Sequence, residues 1–428
     1  MRLILIDRLN NARLHFEPLA LSRPIWDLRS GITSLAEKLI DTTGATDVAC
    51  FVPDYMADAY REVTAWPVNN PASLSGDDLL IVHGRVKAAG FKVASTGPSE
   101  ATFDESGQCL YARISKADLS RLKTDSIDAL LESARKSLPA GEKVAAWNFT
   151  WDLVLENPEN LTRDFKAAGR SGIEGTIEQP NAIRGSKGDV YVAPGVTIHP
   201  MVVIDAEHGP VYIDVGVEIH PFSRIEGPCF IGKKSILLGA KCREGNSIGP
   251  MCRIGGEVEE SIIQGHSNKY HDGFLGHSYV GEWVNLGALT TNSDLKNDYS
   301  KVAVLLDGRT PIDTGSTKVG SLIGDHTKTS IGTLFNTGSY VGAMALIAAT
   351  GKPLPKFIPS FAWFLEGVVT KGFGKRKLYE TAKTVMSRRG WQWSPAQEAM
   401  WDAIFEMTAG PRKDAIDKGR RQMRSQHQ

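Results

Sequence analysis

Cysteine is scarce in this 428-residue chain: Cys50, Cys109, Cys229, Cys242 and Cys252 are an odd set with no Cys-x-x-Cys pair. That excludes a disulfide framework and a cysteine-based zinc site, and it fits reduced thiols. Net charge is lacking as well, because 49 basic side chains cancel 49 acidic ones. No global field steers the chain to nucleic acid or to an anionic membrane. No apolar run is long enough to span a bilayer, and the opening Met1–Ile6 meets a charge at Asp7, too soon for a signal peptide. The expected location is cytoplasmic. The length predicts two or three domains.

What is present begins with Leu3–Ile6, a short continuous apolar run of the kind buried on both faces of a parallel sheet. Ser34-Leu-Ala-Glu37 has capping-box spacing and predicts a helix from there to a stop near Gly44. Further strands are expected at Val48–Val52, Leu79–Val86 and Val144–Trp147, with helices at Asp54–Val63 and Ser126–Leu138. Alternating strands and helices predict an α/β layer with a mostly parallel sheet over residues 1–180. Ligands of such sheets bind at the carboxyl ends of the strands.

The middle of the chain, 185–345, has a different period. Ile213, Ile219, Ile225 and Ile231 recur every six residues, and aliphatic–Gly steps follow at Ile231-Gly232, Ile248-Gly249, Val280-Gly281, Ile323-Gly324 and Val341-Gly342. Neither a helix nor a simple strand has that period. A left-handed parallel β-helix does, with each hexapeptide forming one flat face and many coils stacking. The four isoleucines are expected in one inward column, with glycines at tight corners and excursions near 207–210 and 292–318. Residues 346–428 read as mainly helical: Ser394-Pro-Ala-Gln397 opens a helix, Gly410-Pro411 should stop it, and the tail after Lys413 should fray. The basic run Lys371–Arg389 reads as a solvated helix face.

Phe16-Glu-Pro-Leu-Ala-Leu-Ser-Arg-Pro-Ile-Trp-Asp-Leu-Arg-Ser-Gly-Ile32, Ile81-Val-His-Gly-Arg-Val86 and Asn148–Asp152 resemble a divergent group of sugar nucleotidyltransferases within the GlmU-like family. The resemblance implies a Rossmann-like nucleotidyltransferase-type domain. It also implies that Arg23, Arg29, Lys38 and Arg85 face nucleotide and sugar phosphates, where fixed cations stabilise a leaving pyrophosphate. The departures are specific. The stretch after the first strand, Asp7–Arg13, holds no glycine to cradle phosphate, and the usual Mg²⁺-holding Asp is replaced by His83-Gly84-Arg85. The alternative for these arginines is that they make structural ion pairs.

His271-Asp-Gly-Phe-Leu-Gly-His-Ser-Tyr-Val-Gly-Glu-Trp-Val-Asn-Leu-Gly-Ala288 resembles, without gaps, the acetyltransferase half of the GlmU-like family. The resemblance implies that His271 is the general base and Asn285 binds the acceptor, while Gly287 and Ala288 contact acetyl-CoA. An attacking amine must lose a proton, and imidazole, with an ordinary pKa of roughly 6.5, suits that task. Where the family has a phosphate-gripping lysine pair this chain has Glu259-Glu260, so Asn268, Lys269 and Lys296 become the candidate substrate contacts. The expected co-substrates are acetyl-CoA, a nucleoside triphosphate and a sugar phosphate, and the expected assembly is a homotrimer. The spacing of His266, His271 and His277 suits no metal, and none is expected there. His277, six residues on, is expected to occupy the next hexapeptide's equivalent place. Two readings remain: a bifunctional enzyme, or a chain in which one half is catalytically inactive and serves assembly or ligand binding.

Overall fold

The computed structural model describes residues 1–348 and 351–426. The N-terminal sheet runs in the order β2-β1-β3-β5-β4, with β1 Arg2–Ile6, β2 Val48–Phe51, β3 Leu79–His83, β4 Glu100–Phe103 and β5 Cys109–Ile114. β1, β2 and β3 are parallel, and β5 and β4 add an antiparallel edge. Leu3 and Leu5 enter one hydrophobic cluster and Ile4 and Ile6 the other, as a strand covered on both faces requires. The helix Leu35–Thr43 has both halves of its Ser34/Glu37 capping box and ends at left-handed Gly44. Val144–Trp147 is not a strand; it makes one isolated bridge, Val86 to Ala146.

From Gly172 the chain winds into a parallel β-helix whose last coil strand is Trp363–Leu365, so the coils begin before 185 and pass 345. Each coil has three faces. Val192, Ile213, Ile231, Ile248, Ile263, Val280, Ile323, Val341 and Ile358 stack in register on one of them, all nearly inaccessible. Ile219 instead stacks on Ile198 and Leu237, and Ile225 on Ile204 and Cys242. The expected single column of Ile213, Ile219, Ile225 and Ile231 is therefore corrected. All four point inward, but six residues advance the chain by one face, and only Ile213 and Ile231 share a column.

The glycines also serve another purpose than expected. Gly232, Gly249, Gly324 and Gly342 lie where successive coils touch, and a Cβ on Gly249 would fall 2.0 Å from the Gln264 carbonyl oxygen. Several left-handed corners carry large side chains instead: His266, Trp283, His326, Met344 and Phe361 all have φ between 54° and 61°. The break at 207–210 is an ordinary corner. After Asn292 the chain leaves the coil, forms the antiparallel hairpin Ala303–Leu305/Pro311–Asp313, and returns at Ser321.

Three C-terminal helices follow: Lys375–Ser387, Pro395–Met407 and Ala409–Gln426. The helix opened at Ser394 stops at Met407, just before Gly410-Pro411, but that pair does not keep a further helix from starting. It lies in the first turn of the last helix, where a missing N–H costs nothing. That helix packs on Val368–Thr370, with Gly419 against the Val369 carbonyl, so the tail after Lys413 is helical and held at Gly419. One hydrophobic cluster contains Trp26 and Leu28 of the N-terminal region, Tyr279 and Leu322 of the β-helix, and Met400, Trp401 and Ile404 of the C-terminal helices. The three parts share a core.

Candidate functional site

At the carboxyl ends of β1 and β3 the chain packs against itself. Asp7 is fully buried, ion-paired with buried Arg13, and accepts the Ile25 N–H at 2.8 Å. Burial holds its carboxyl above the usual range although Arg13 opposes this. His83 is buried and lowered to about 3 by desolvation. Trp26, with no exposed surface, lies against Gly84. These strand ends do not fit Mg²⁺. Asp7 is claimed by a guanidinium, and the nearby carboxylate Asp104 is ion-paired with Arg85.

The four cations expected to converge on phosphate are dispersed, which corrects that expectation. Arg23 reaches across to the β-helix, ion-paired with Asp325 and 3.3 Å from Glu282. Arg29 donates to the Ile32 carbonyl and lies over the Phe230 ring, while its backbone N–H meets the Tyr279 hydroxyl at 2.7 Å. Lys38 pairs with Asp164 and donates to Thr33. Arg85 is buried against Asp104 and Gln108. Arg23 and Lys38 line different cavities. Segment 16–32, the most distinctive stretch of the N-terminal region, is a docking strap. Ser22 and Arg23 hold Asp325, the Asp27 carbonyl takes Gln264, and the Gly31 carbonyl takes Ser247.

The β-helix candidates are brought together. The pairing of Asn268 with Asn285, and the Leu289 N–H to Asp272 carbonyl bond of 2.8 Å, stack Ala288 on His271 in adjacent coils. His271 and Asn285 are both exposed. Asn268 donates to Asn285 at 3.1 Å and accepts from Arg389 of the C-terminal region at 2.6 Å. Lys269 points inward instead, giving its ammonium to the Gly255 and His271 carbonyls, and burial lowers it to about 8. It supports the His271 backbone and is not placed to contact substrate. Lys296 sits in the excursion after Asn292 and donates to Ser300, away from the coils that carry His271.

Residues 3–171 match the family model described as sugar nucleotidyl transferase. The bifunctional sugar-1-phosphate nucleotidylyltransferase/acetyltransferase of Sulfurisphaera tokodaii is 37% identical over 91 residues, 21% of this chain and 22% of that one. The bifunctional protein GlmU of Rippkaea orientalis is 28% identical over 146 residues, 33% of this chain and 30% of that one. Over these stretches the chain is similar to GlmU proteins. It joins a nucleotidyltransferase-type domain to a parallel β-helix, although it matches less than a third of the length of either relative. A solved UDP-N-acetylglucosamine acyltransferase from Arabidopsis aligns at 11% identity over 58% of this chain and 95% of that one, with a TM-score of 0.18, too low to carry an argument.

Within this GlmU-like frame His277 is not the equivalent of His271. Six residues carry it to the next corner, where it is buried, with Nδ1 2.8 Å from Asp294 and Nε2 3.2 Å from Glu260. Burial alone would lower its pKa, but the two carboxylates outweigh it and raise it to about 9. Its partner Glu260, and Glu259 bound to Arg243, are thus structural. Stability from a raised imidazole is complete below the unfolded pKa of roughly 6.5 and is lost as pH rises through the folded value. Buried Lys269 and Lys328, lowered to about 8 and about 7, act with the opposite sign. The measurement is therefore a difference. Wild type should exceed His277→Gln by about 3 kcal/mol near pH 6 in urea denaturation, with the gap closing towards pH 10. A gap that ignores pH would refute the assignment.

Two features escaped the sequence reading. One is the outward stack His266–Trp283–His326 at a left-handed corner, with the first pair at 4.4 Å and 16°. The other is the seating of Trp391, Trp393 and Trp401 against it. The signal was available: an aromatic or imidazole side chain recurs 17 residues after His266 and again beyond the excursion, one coil apart each time.

Proposed function

We propose that the protein is a transferase of nucleotide-sugar metabolism whose β-helix moves an acetyl group from acetyl-CoA to an amino-sugar or sugar-phosphate acceptor. The observation that carries this reading is the gathering of His271, Asn285, Gly287 and Ala288 on two adjacent coils at one exposed corner. His271 takes the proton from the attacking amine or hydroxyl. Asn285, held by Asn268, orients the acceptor, and corner backbone at Gly287 and Ala288 meets the thioester arm. For the N-terminal domain the family match supports sugar-1-phosphate nucleotidyl transfer. With Trp26 and the Asp7–Arg13 pair packed at the strand ends, nucleotide entry there requires segment 16–28 to withdraw.

An exposed base does not exclude water, and the same corner offers a reason for a wall. Phe222, Leu289 and Ile331 are 75%, 62% and 74% exposed along it, with Met201 one coil before Phe222. A second copy laid on this stripe would bury it and close a groove over His271, as a trimer allows. The double substitution Leu289→Asp/Ile331→Asp should shift the sedimentation of a trimer to monomer and abolish transfer. Acetyl transfer is tested by CoA thiol release with glucosamine 1-phosphate and related acceptors, and nucleotidyl transfer by pyrophosphate release from nucleoside triphosphates. Acetyl-CoA turnover by no acceptor in the panel, from a protein that binds the coenzyme, would sink the acyl-transfer reading.

A further inference from the structure

Where the docking strap, the β-helix and the C-terminal helices meet there is a cavity of about 570 Å³. It lies a face away from His271, since His266 and His271 occupy successive corners of one coil. Its floor is the stack of His266, Trp283 and His326, with ring planes within 16° of parallel. Trp391 stands edge-on to His266 and Trp283, at 5.3 and 6.2 Å, and Trp401 stands edge-on to His326 at 5.6 Å. The size suits a small ring-bearing molecule.

The polar groups at this cavity are under-used. His326 is more than nine-tenths buried, and its Nδ1 has no hydrogen-bond partner. The same holds for His266 Nδ1 and Arg23 Nε. Glu282 has only loose partners, with one oxygen 3.3 Å from Arg23 and the other 3.5 Å from His266 without hydrogen-bond geometry. Such orphaned buried groups are uncommon and call for an explanation, and a bound molecule would supply one here. The charge balance says what. Arg23 is the only Arg or Lys among the described residues that line it, and Asp325 and Glu282 share it. One guanidinium therefore faces two carboxylates, with Asp27 close by and pushed up to about 7 by burial. Burial keeps His326 neutral, so it adds no cation.

We propose that this cavity binds a ring-bearing organic cation without phosphate, such as a protonated amino sugar, with its ammonium against Glu282 and its ring against the partly exposed indole of Trp391, since His266 and His326 already cover Trp283. Cation–π attraction and a charge-assisted bond to a buried carboxylate favour the ammonium. A phosphate would meet Glu282 and Asp325 with no free cation to receive it.

The test needs no turnover. The full chain is titrated with glucosamine, N-acetylglucosamine and glucosamine 6-phosphate, read by tryptophan emission and calorimetry. Glucosamine should give a saturable change, and the other two should bind roughly tenfold or more weakly, the worth of one charge-assisted bond. Trp391→Ala removes a partly exposed wall and should abolish the response with the melting temperature unchanged. Glu282→Gln should erase the preference for the free amine. No saturable binding of glucosamine, equal or tighter binding of the phosphate, or a response that survives Trp391→Ala would overturn the proposal. A Glu282→Gln protein that fails to fold leaves the Trp391→Ala comparison to decide.

Discussion

Replacing His271 by alanine is expected to lower the turnover of acetyl-CoA by roughly 10²–10⁴-fold, the usual contribution of a positioned general base. The ring is exposed, and no hydrogen bond or ion pair of its side chain anchors the fold among the described contacts. Stability should therefore change by no more than about 0.5 kcal/mol, and coenzyme binding and assembly should persist. The suitable control is His208→Ala, an exposed imidazole at the corner between Ala206 and Val211. His277, buried between two carboxylates, cannot serve. Stopped-time CoA release with both variants decides the matter. If His271→Ala and His208→Ala are equally active in a preparation that transfers acetyl groups, His271 is scaffold.

Arg23→Ala should instead be a folding variant. Its guanidinium is about nine-tenths buried and held between Asp325 and Glu282, and these two carboxylates outweigh burial to keep it charged. Removing one partner of a buried pair leaves uncompensated charge behind and typically costs about 3–5 kcal/mol. Chemical denaturation should show a large fall in midpoint for Arg23→Ala and partial recovery for Arg23→Lys, whose single ammonium cannot span both acids. A wild-type midpoint for Arg23→Ala, accompanied by slowed pyrophosphate release, would return Arg23 to a phosphate-binding role.

The periodicities that reflect burial were legible because each element repeats a local rule. Leu3–Ile6 announced a two-sided strand, Ser34 and Glu37 a capped helix, and the six-residue isoleucine spacing a coil. What the spacing concealed was the three-fold turn: six residues mark a face and do not mark a column. The antiparallel pair Glu100–Phe103 and Cys109–Ile114 was missed because an edge hairpin leaves no long apolar run. At the candidate site, the adjacency of Asn268 to Asn285 and of His271 to Ala288 was legible because coil stacking brings residues 17 apart together. Lys269 was misjudged because its inward direction depends on which face it occupies. Arg23 was misread because its partners lie about 260 and 300 residues away in the chain, a distance that no local pattern encodes.

That last separation has a consequence for how the protein is made. On the ribosome, Arg23 and Ser22 emerge more than 300 residues before Asp325. At roughly 5–20 residues per second that is a wait of about 15–60 s. For most of it the N-terminal sheet is complete in sequence, yet the Ser22–Arg23 part of the strap lacks Asp325, while Ser247 and Gln264 arrive earlier for Gly31 and Asp27. The coils can form behind it one on another, each needing only its predecessor. The Ser22–Arg23 end closes only when the coil bearing Asp325 arrives, so a nascent chain stopped short of that coil would carry a guanidinium without its nearer carboxylate partner. Translation arrest before residue 325 should therefore yield chains that chaperones hold and proteases cut near Ser22–Arg23, while arrest a few coils later should protect the same bonds.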